Sequence, residues 1–127
     1  MAHILVVDDD PAIRQLLADL LEMDGHGVRF AADGLAAVKA LDVLRPDCVV
    51  LDVMMPGLDG YEVLRRIRSQ EGEPVPVIML TASADAASAA KAWTDGVDHY
   101  LAKPFRADEV LDLIDGLLGE AVRISDA

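Results

Sequence analysis

The stretch Cys48-Val49-Val50-Leu51-Asp52, held between Pro46 and Pro56, is an unbroken run of strand-forming apolar residues that ends in a carboxylate. No alternation of polar and apolar positions marks a solvent face. The run therefore reads as a strand buried on both sides, the condition of inner strands in a parallel sheet. Asp52, its last residue, then falls at the carboxyl edge of that sheet, where open α/β folds bind ligands. A strand-end Asp that only caps nearby amides would look the same in isolation. The rest of the chain separates the two readings.

Four other short apolar runs punctuate the sequence, each followed by a segment of helical period. Ile4-Leu5-Val6-Val7 ends in Asp8-Asp9-Asp10-Pro11, where Asp10 is placed to cap a helix with proline at its first position. That helix carries Ile13, Leu16, Leu17, Leu20 and Leu21 on one face and stops at Asp24-Gly25. Residues 27–32 read as an edge strand, with Val28 and Phe30 alternating against Arg29. Asp33-Gly34 opens a helix whose apolar positions are Leu35, Val38 and Leu41. After the organising strand, Asp59-Gly60-Tyr61-Glu62 has the spacing of a capping box, ahead of an inner face of Val63, Leu64 and Ile67. Arg65, Arg66 and Arg68 are expected on its solvated side.

Residues 77–80 make a fourth buried strand, leading into Thr81-Ala82-Ser83. A helix over residues 85–94 carries Trp93, read as core rather than as part of an exposed patch, and ends at Gly96. Residues 98–102 form a fifth strand, at an edge, with His99 solvated, and run into Lys103-Pro104-Phe105. The last helix aligns Val110, Leu113, Ile114, Leu117 and Leu118 and is expected to halt at Gly119. Arg106 stands where an N-capping Ser, Thr or Asp is usual, which predicts a frayed start.

Five strands alternating with five helices, without a repeat, specify a parallel sheet with helices on both faces. Right-handed crossovers favour the strand order 2-1-3-4-5. The loops after strands one and three then lie side by side, which brings Asp8 and Asp9 to Asp52. A chain of 127 residues suits a single core; residues 1–120 are taken as the domain and 121–127 as a tail or the start of a linker. The only cysteine, Cys48, excludes an internal disulfide and a thiolate metal site. No stretch is long enough to span a membrane, and a cytoplasmic location is expected. A formal net charge of -12 disfavours nucleic acid and anionic membranes as direct partners. It suits a divalent cation or a basic protein surface.

Three carboxylates converging on one crevice repel each other unless positive charge sits among them. A hard divalent cation held by oxygens, Mg²⁺ with several retained waters, answers that requirement. Lys103 at the end of strand five and the Thr81 hydroxyl at the end of strand four complete the rim. Alone, each residue has an ordinary explanation: a helix-start carboxylate, a surface lysine, a strand-end hydroxyl. Together they are the parts needed to move a phosphoryl group onto Asp52, with positive charge on the non-bridging oxygens and an in-line carboxylate nucleophile.

The segments Leu5-Val6-Val7-Asp8-Asp9-Asp10, Leu51-Asp52-Val53-Met54-Met55-Pro56-Gly57-Leu58-Asp59-Gly60, Leu80-Thr81-Ala82 and Tyr100-Leu101-Ala102-Lys103-Pro104-Phe105 resemble the receiver domain of bacterial two-component response regulators. The likeness runs from Ile4 to about Leu118. It implies Asp52 as phosphoacceptor from a histidine kinase or phosphotransfer protein. Asp9, Asp52 and the backbone carbonyl of Met54 would be direct Mg²⁺ ligands, with Asp8 acting through water on the metal. Lys103 would pair with the phosphoryl group, aided by a cis Lys103–Pro104 bond. The resemblance further implies a switch in which Thr81 turns toward the phosphoryl group and Tyr100 rotates inward, reshaping the surface of helix four, strand five and helix five. Such a protein is no enzyme toward external substrates. It catalyses only its own phosphorylation and dephosphorylation and signals to a downstream protein target or a covalent output domain. Met54 and Ser83 lie where the family tunes hydrolysis. A phosphorylation-dependent dimer is a further implication, although Leu113 occupies the place of the basic residue that often forms its salt bridges.

Other classes fit less well. An aspartate-nucleophile phosphatase resembles a pattern with a second Asp two residues after the first, where this chain has Met54. A flavin or nucleotide binder would offer glycine or hydroxyl residues in the first turn, whereas Asp8-Asp9-Asp10 repels phosphate. A phosphorylation-independent, receiver-like binding module is the remaining alternative, and the intact Asp52, Thr81 and Lys103 weigh against it.

Overall fold

Short apolar runs flanked by Asp, Gly and Pro become strands here, and the intervening segments become helices, in strict alternation. In the computed structural model the order is β1 (His3–Val7), α1 (Pro11–Met23), β2 (Gly27–Ala31), α2 (Gly34–Val43), β3 (Cys48–Asp52), α3 (Gly60–Ser69), β4 (Val77–Thr81), α4 (Ala86–Thr94), β5 (His99–Ala102) and α5 (Ala107–Asp126). The structure describes residues 2–55, 57, 59–72, 74–82 and 86–126. Pro56, Leu58, Ser83 and Asp85, which the sequence reading used, lie outside the described residues, as do the side chains of 86–88, 107 and 120–126.

All five strands are parallel, in the order β2-β1-β3-β4-β5. Strand alternation divides the core into two layers. Ile4, Val6, Cys48, Val50, Ile78 and Leu80 pack with Leu17 and Leu21 of α1 and Val110 and Ile114 of α5. Leu5, Val7, Val49, Leu51, Val77 and Met79 pack on the other face with Ala37 and Leu41 of α2, Val63, Leu64 and Ile67 of α3, and Ala92 of α4. Every residue of β3 and β4 is buried, as the unbroken apolar runs demand. Burying a side chain of this size contributes about 1.5–3 kcal/mol.

Three helix starts are fixed by aspartate caps. The side chains of Asp10, Asp33 and Asp59 accept hydrogen bonds from the backbone N–H groups of Ala12, Ala36 and Glu62 at 2.9, 2.8 and 3.0 Å. Each cap sets where the chain leaves a strand-end loop and begins its return along the sheet. The start of α5 is secured differently: Arg106 donates its N–H to Glu109 Oε1 at 2.9 Å and its guanidinium to Asp108. The Glu109 N–H donates in return to Arg106 O at 3.0 Å, so this helix start is capped without a Ser, Thr or Asp.

Other expectations are corrected as well. Leu16, Leu35 and Phe30 are 48%, 56% and 47% exposed rather than inward. In α1 the buried stripe is Leu17, Ala18 and Leu21, and in α2 it is Gly34, Ala37 and Leu41, so small residues let these helices lie close to the sheet and turn the bulkier leucines aside. Trp93 is exposed, and Ala92 takes its expected inward place. His99 is half-buried rather than solvated. Arg68 is not a solvated cation. It donates to Val75 O, Gly96 O and Asp98 Oδ2 at 2.6, 2.8 and 2.8 Å, tying α3 to the start of β4 and the end of the α4 segment. Finally, α5 does not halt at Gly119 but runs to Asp126. Gly119 is not among the glycines with positive φ, and helix-forming residues follow it.

Gly60 positions the functional edge. Its N–H donates to Val53 O at 3.0 Å, and a Cβ placed there would lie 2.8 Å from Val53 Cα and still nearer the Asp52 carbonyl. Only glycine lets α3 begin against the end of β3. In an unhindered helix, Gly→Ala stabilises by roughly 0.5–1 kcal/mol. Here the backbone clash wins, and Gly60→Ala should cost about 2 kcal/mol in urea unfolding. Unchanged or higher stability would show that the contact has slack.

Candidate functional site

The carboxyl ends of β1, β3 and β4 and the β5–α5 loop converge on one rim. Asp8 follows β1 directly and is 1% exposed; Asp52 closes β3 at 4%; Thr81 closes β4 at 1%. Asp9 beside them is exposed. Carboxylate oxygens of Asp8, Asp9 and Asp52 all lie within 4.8 Å of one another. Into this group Lys103 extends its ammonium, 3.2 Å from Asp8 Oδ2 and 3.4 Å from Asp52 Oδ1. The lysine arrives by a short path. Its backbone N–H donates to Thr81 O at 2.6 Å, and the Lys103–Pro104 bond that follows is cis.

Each acidic group is held by its own local structure. Asp8 accepts from the Asp10 N–H through Oδ1 at 2.9 Å, while its carbonyl accepts from Arg14 Nη1 at 2.7 Å. Asp52 Oδ1 accepts from the Met54 N–H at 3.3 Å. Met54 itself is exposed, its side chain directed away from the core. Strand alternation explains the grouping: Asp8, Asp52 and Lys103 continue the set of positions facing α1 and α5, whereas Thr81 and Tyr100 continue the set facing α3 and α4. Tyr100 is half-buried there, with its hydroxyl 3.3 Å from that of Tyr61.

The charges shift one another. Burial first, and the neighbouring Asp8 carboxylate second, push the Asp52 carboxyl up to about 6, against a smaller opposing pull from Lys103. For Lys103, burial alone favours the neutral amine, but Asp52 and then Asp8 outweigh it, and the ammonium is held above its ordinary value. One half-buried ammonium thus pairs with two of the three clustered carboxylates. The pocket keeps an excess of negative charge and an all-oxygen donor set, which fits a hard divalent cation.

Residues 4–115 match the family described as the response regulator receiver domain. The chain belongs to that family. It is 40% identical over 128 residues to the DNA-binding dual master transcriptional regulator RpaA of Synechocystis, covering 100% of this chain and 53% of that protein. The receiver domain of Francisella response regulator 1452 superposes with a TM-score of 0.89 at 33% identity, covering 95% of this chain and 99% of that one. A receiver domain of a sensor histidine kinase from Pseudomonas aeruginosa, solved with a magnesium ion coordinated in its active-site cleft, gives a TM-score of 0.84 at 36% identity, with 93% and 98% covered. The chain spans about half the length of the curated relatives it matches. Among the described residues, no helix is long and apolar enough to cross a membrane.

Three features of this receiver domain escaped the sequence reading. Arg14 was an unremarked position in a helical stripe, yet it secures the Asp8 backbone. Tyr61 reads as part of a capping box, yet it is buried, meets Tyr100, and carries Lys91 Nζ 4.3 Å above its ring centroid. Exposed Leu16 joins Ile13, Lys103, Pro104 and Phe105 around an apolar cleft of about 410 Å³ beside the acidic rim. Only the last left a signal, a leucine surplus on α1 beyond what one buried stripe needs.

The raised Asp52 pKa carries a stability consequence. The folded state holds this proton more tightly than the unfolded chain does, so ionising Asp52 destabilises the metal-free receiver domain as pH rises from about 4 through about 6. Asp52→Asn should therefore stabilise it by about 2 kcal/mol at pH 7 in EDTA, with the gain vanishing near pH 4. Urea unfolding at the two pH values checks this, and a pH-independent difference would contradict it.

Proposed function

We propose that this receiver domain is a phosphorylation-activated signalling switch in which Asp52 accepts a phosphoryl group from a histidine kinase or a phosphotransfer protein. The observation that carries the reading is the Lys103 ammonium, within 3.4 Å of both Asp8 and Asp52 at the end of the organising strand. Asp9, Asp52 and the Met54 carbonyl would hold Mg²⁺, with Asp8 in its outer sphere; the bound cation supplies positive charge to the phosphoryl oxygens. An Asp52 carboxylate oxygen attacks phosphorus as the bond to the donor nitrogen breaks, and the leaving imidazole takes a proton. Lys103 shifts from Asp8 toward the new phosphoryl group. Catalysis here is positioning and charge neutralisation, and the chain accelerates only its own phosphorylation and dephosphorylation.

The same reading assigns Thr81 and Tyr100 to the switch. Thr81 lies buried next to the rim, and Tyr100 rests on Tyr61 across the α3–α4 layer. A new hydrogen bond from Thr81 to the phosphoryl group would alter the space beside Tyr100 and the surface of α4, β5 and α5. The apolar cleft beside Lys103 suits the docking of the phosphodonor protein. Relatives of about twice this length support residues 1–120 as the receiver unit, with 121–127 leading toward an output domain or a separate protein target. The charge of -12 supports a receiver unit that does not itself contact nucleic acid or membrane. Leu113 is half-buried and packs on the core layer beside α1 and α5, so a phosphorylation-dependent dimer would use contacts other than a salt bridge at this position.

Incubation with acetyl phosphate and Mg²⁺ should add one acid-stable, base-labile phosphoryl group, seen as a mass increase lost in Asp52→Asn. A mass increase that survives this substitution, or none at all, refutes the assignment. Mg²⁺ affinity should fall below about pH 6 as Asp52 takes up a proton. Lys103→Ala should retain Mg²⁺ binding but slow phosphorylation at least tenfold in a stopped-flow or mass time course.

A further inference from the structure

A second cluster lies outside the phosphorylation rim, where the turn after α1 meets α5. Asp24 caps the C-terminus of α1, Gly25 takes φ 87°, and His26 follows. The backbone is fixed by two bonds, His26 N–H to Leu21 O at 3.0 Å and Gly25 N–H to Glu22 O at 3.0 Å, the double closure of a Schellman motif. Asp24 and His26 are thereby held on a rigid turn. Across from them stands Asp115 of α5. His26 Nε2 is 3.4 Å from Asp24 Oδ2 and 3.7 Å from Asp115 Oδ1, and ligand atoms of all three residues lie within 4.8 Å of one another.

The imidazole is the informative member. Its side chain is only 11% exposed, and neither Nδ1 nor Nε2 finds a hydrogen-bond partner among the described residues. Buried ring nitrogens are seldom left without a hydrogen-bond partner, and two carboxylates drawn together beside them repel one another. Burial and the abutting Asp24 hold the Asp115 carboxyl above its ordinary value. Among the described residues, no lysine or arginine is paired into the cluster. In a tetrahedral site with bonds of about 2.0–2.1 Å, ligand atoms sit about 3.4 Å apart, close to the spacings from Nε2 observed here. One nitrogen and two carboxylate oxygens, with both carboxylates open to solvent, match three protein ligands and an open fourth position.

We propose that Asp24, His26 and Asp115 form a second divalent-metal site, selective for a borderline ion such as Zn²⁺ over Mg²⁺, that clamps α5 to the α1–β2 turn. Nitrogen in the donor set separates it from the all-oxygen rim around Asp52. It does not depend on the phosphorylation reading, since none of its residues touches that rim.

Calorimetric titration of the full chain with ZnCl₂, in saturating Mg²⁺ to occupy the Asp52 rim, tests the site. One equivalent of Zn²⁺ should bind and raise the melting temperature, while Mg²⁺ alone should leave His26 unperturbed by NMR. His26→Gln and, separately, Asp115→Asn should each weaken Zn²⁺ binding at least tenfold. Circular dichroism identifies a variant that fails to fold, and Asp115→Asn, at an exposed position on α5, keeps the test decisive if His26→Gln does so. Absence of Zn²⁺ binding under saturating Mg²⁺, or equal binding by both folded variants, overturns the proposal. A His26 that titrates between the two carboxylates while ignoring Zn²⁺ also overturns it, and identifies a proton as the cluster's only cation.

Discussion

The Lys103 ammonium between Asp8 and Asp52 is the contact on which this architecture turns, because it joins groups 95 residues apart in sequence and does so in a nearly dry pocket. Burying one ionised carboxylate is costly, and burying two together is prohibitive without positive charge beside them. A single lysine offsets part of that cost and leaves the rest. The residue of the imbalance appears in the raised Asp52 carboxyl. A fully neutralised rim would be more stable and would have no appetite for a cation or a phosphoryl group.

Strand parity gives this charge imbalance a direction. Asp8, Asp52 and Lys103 continue the set of side chains facing α1 and α5, while Thr81 and Tyr100 continue the set facing α3 and α4. Events at the rim therefore meet both layers at once. Tyr61 extends the second layer's share, since it touches Tyr100 and underlies Lys91 of α4. A rearrangement of Tyr100 has to be accommodated by Tyr61, and through it by the helix that carries Lys91.

What the sequence made legible follows from how local each cause is. Doubly buried strands announce themselves as unbroken apolar runs, and the Asp10, Asp33 and Asp59 caps act within three residues of themselves, so both were readable. Strand order and the meeting of Asp8, Asp9, Asp52 and Lys103 followed from topology, because every one of them stands at a strand end. Helix rotation was readable in α3, where Val63, Leu64 and Ile67 are buried as expected, but only in part in α1 and α2. Leucines at 16 and 35 fit a helical period as well as the residues that are buried, and the choice is made by small residues, Gly34, Ala37 and Ala18, which permit closer approach to the sheet. Arg68 was misread for a related reason: its acceptors come from Val75, Gly96 and Asp98, on segments whose proximity only the folded chain creates.

The two clusters of ionisable groups show how the same fold can treat negative charge in opposite ways. At the carboxyl end of the sheet, carboxylate oxygens converge from the ends of β1 and β3 and a lysine is built in, so the site is hard, partly neutralised and largely buried. At the α1–β2 turn, a Schellman closure presents Asp24 and His26 to a carboxylate on α5, with an imidazole in place of the lysine and open access to solvent. Donor chemistry, more than charge count, distinguishes them: oxygen alone suits a strongly hydrated ion that keeps its waters, whereas a nitrogen donor at tetrahedral spacing favours an ion that gives them up. Of the two clusters, only the one at the far turn draws a ligand atom from α5, through Asp115.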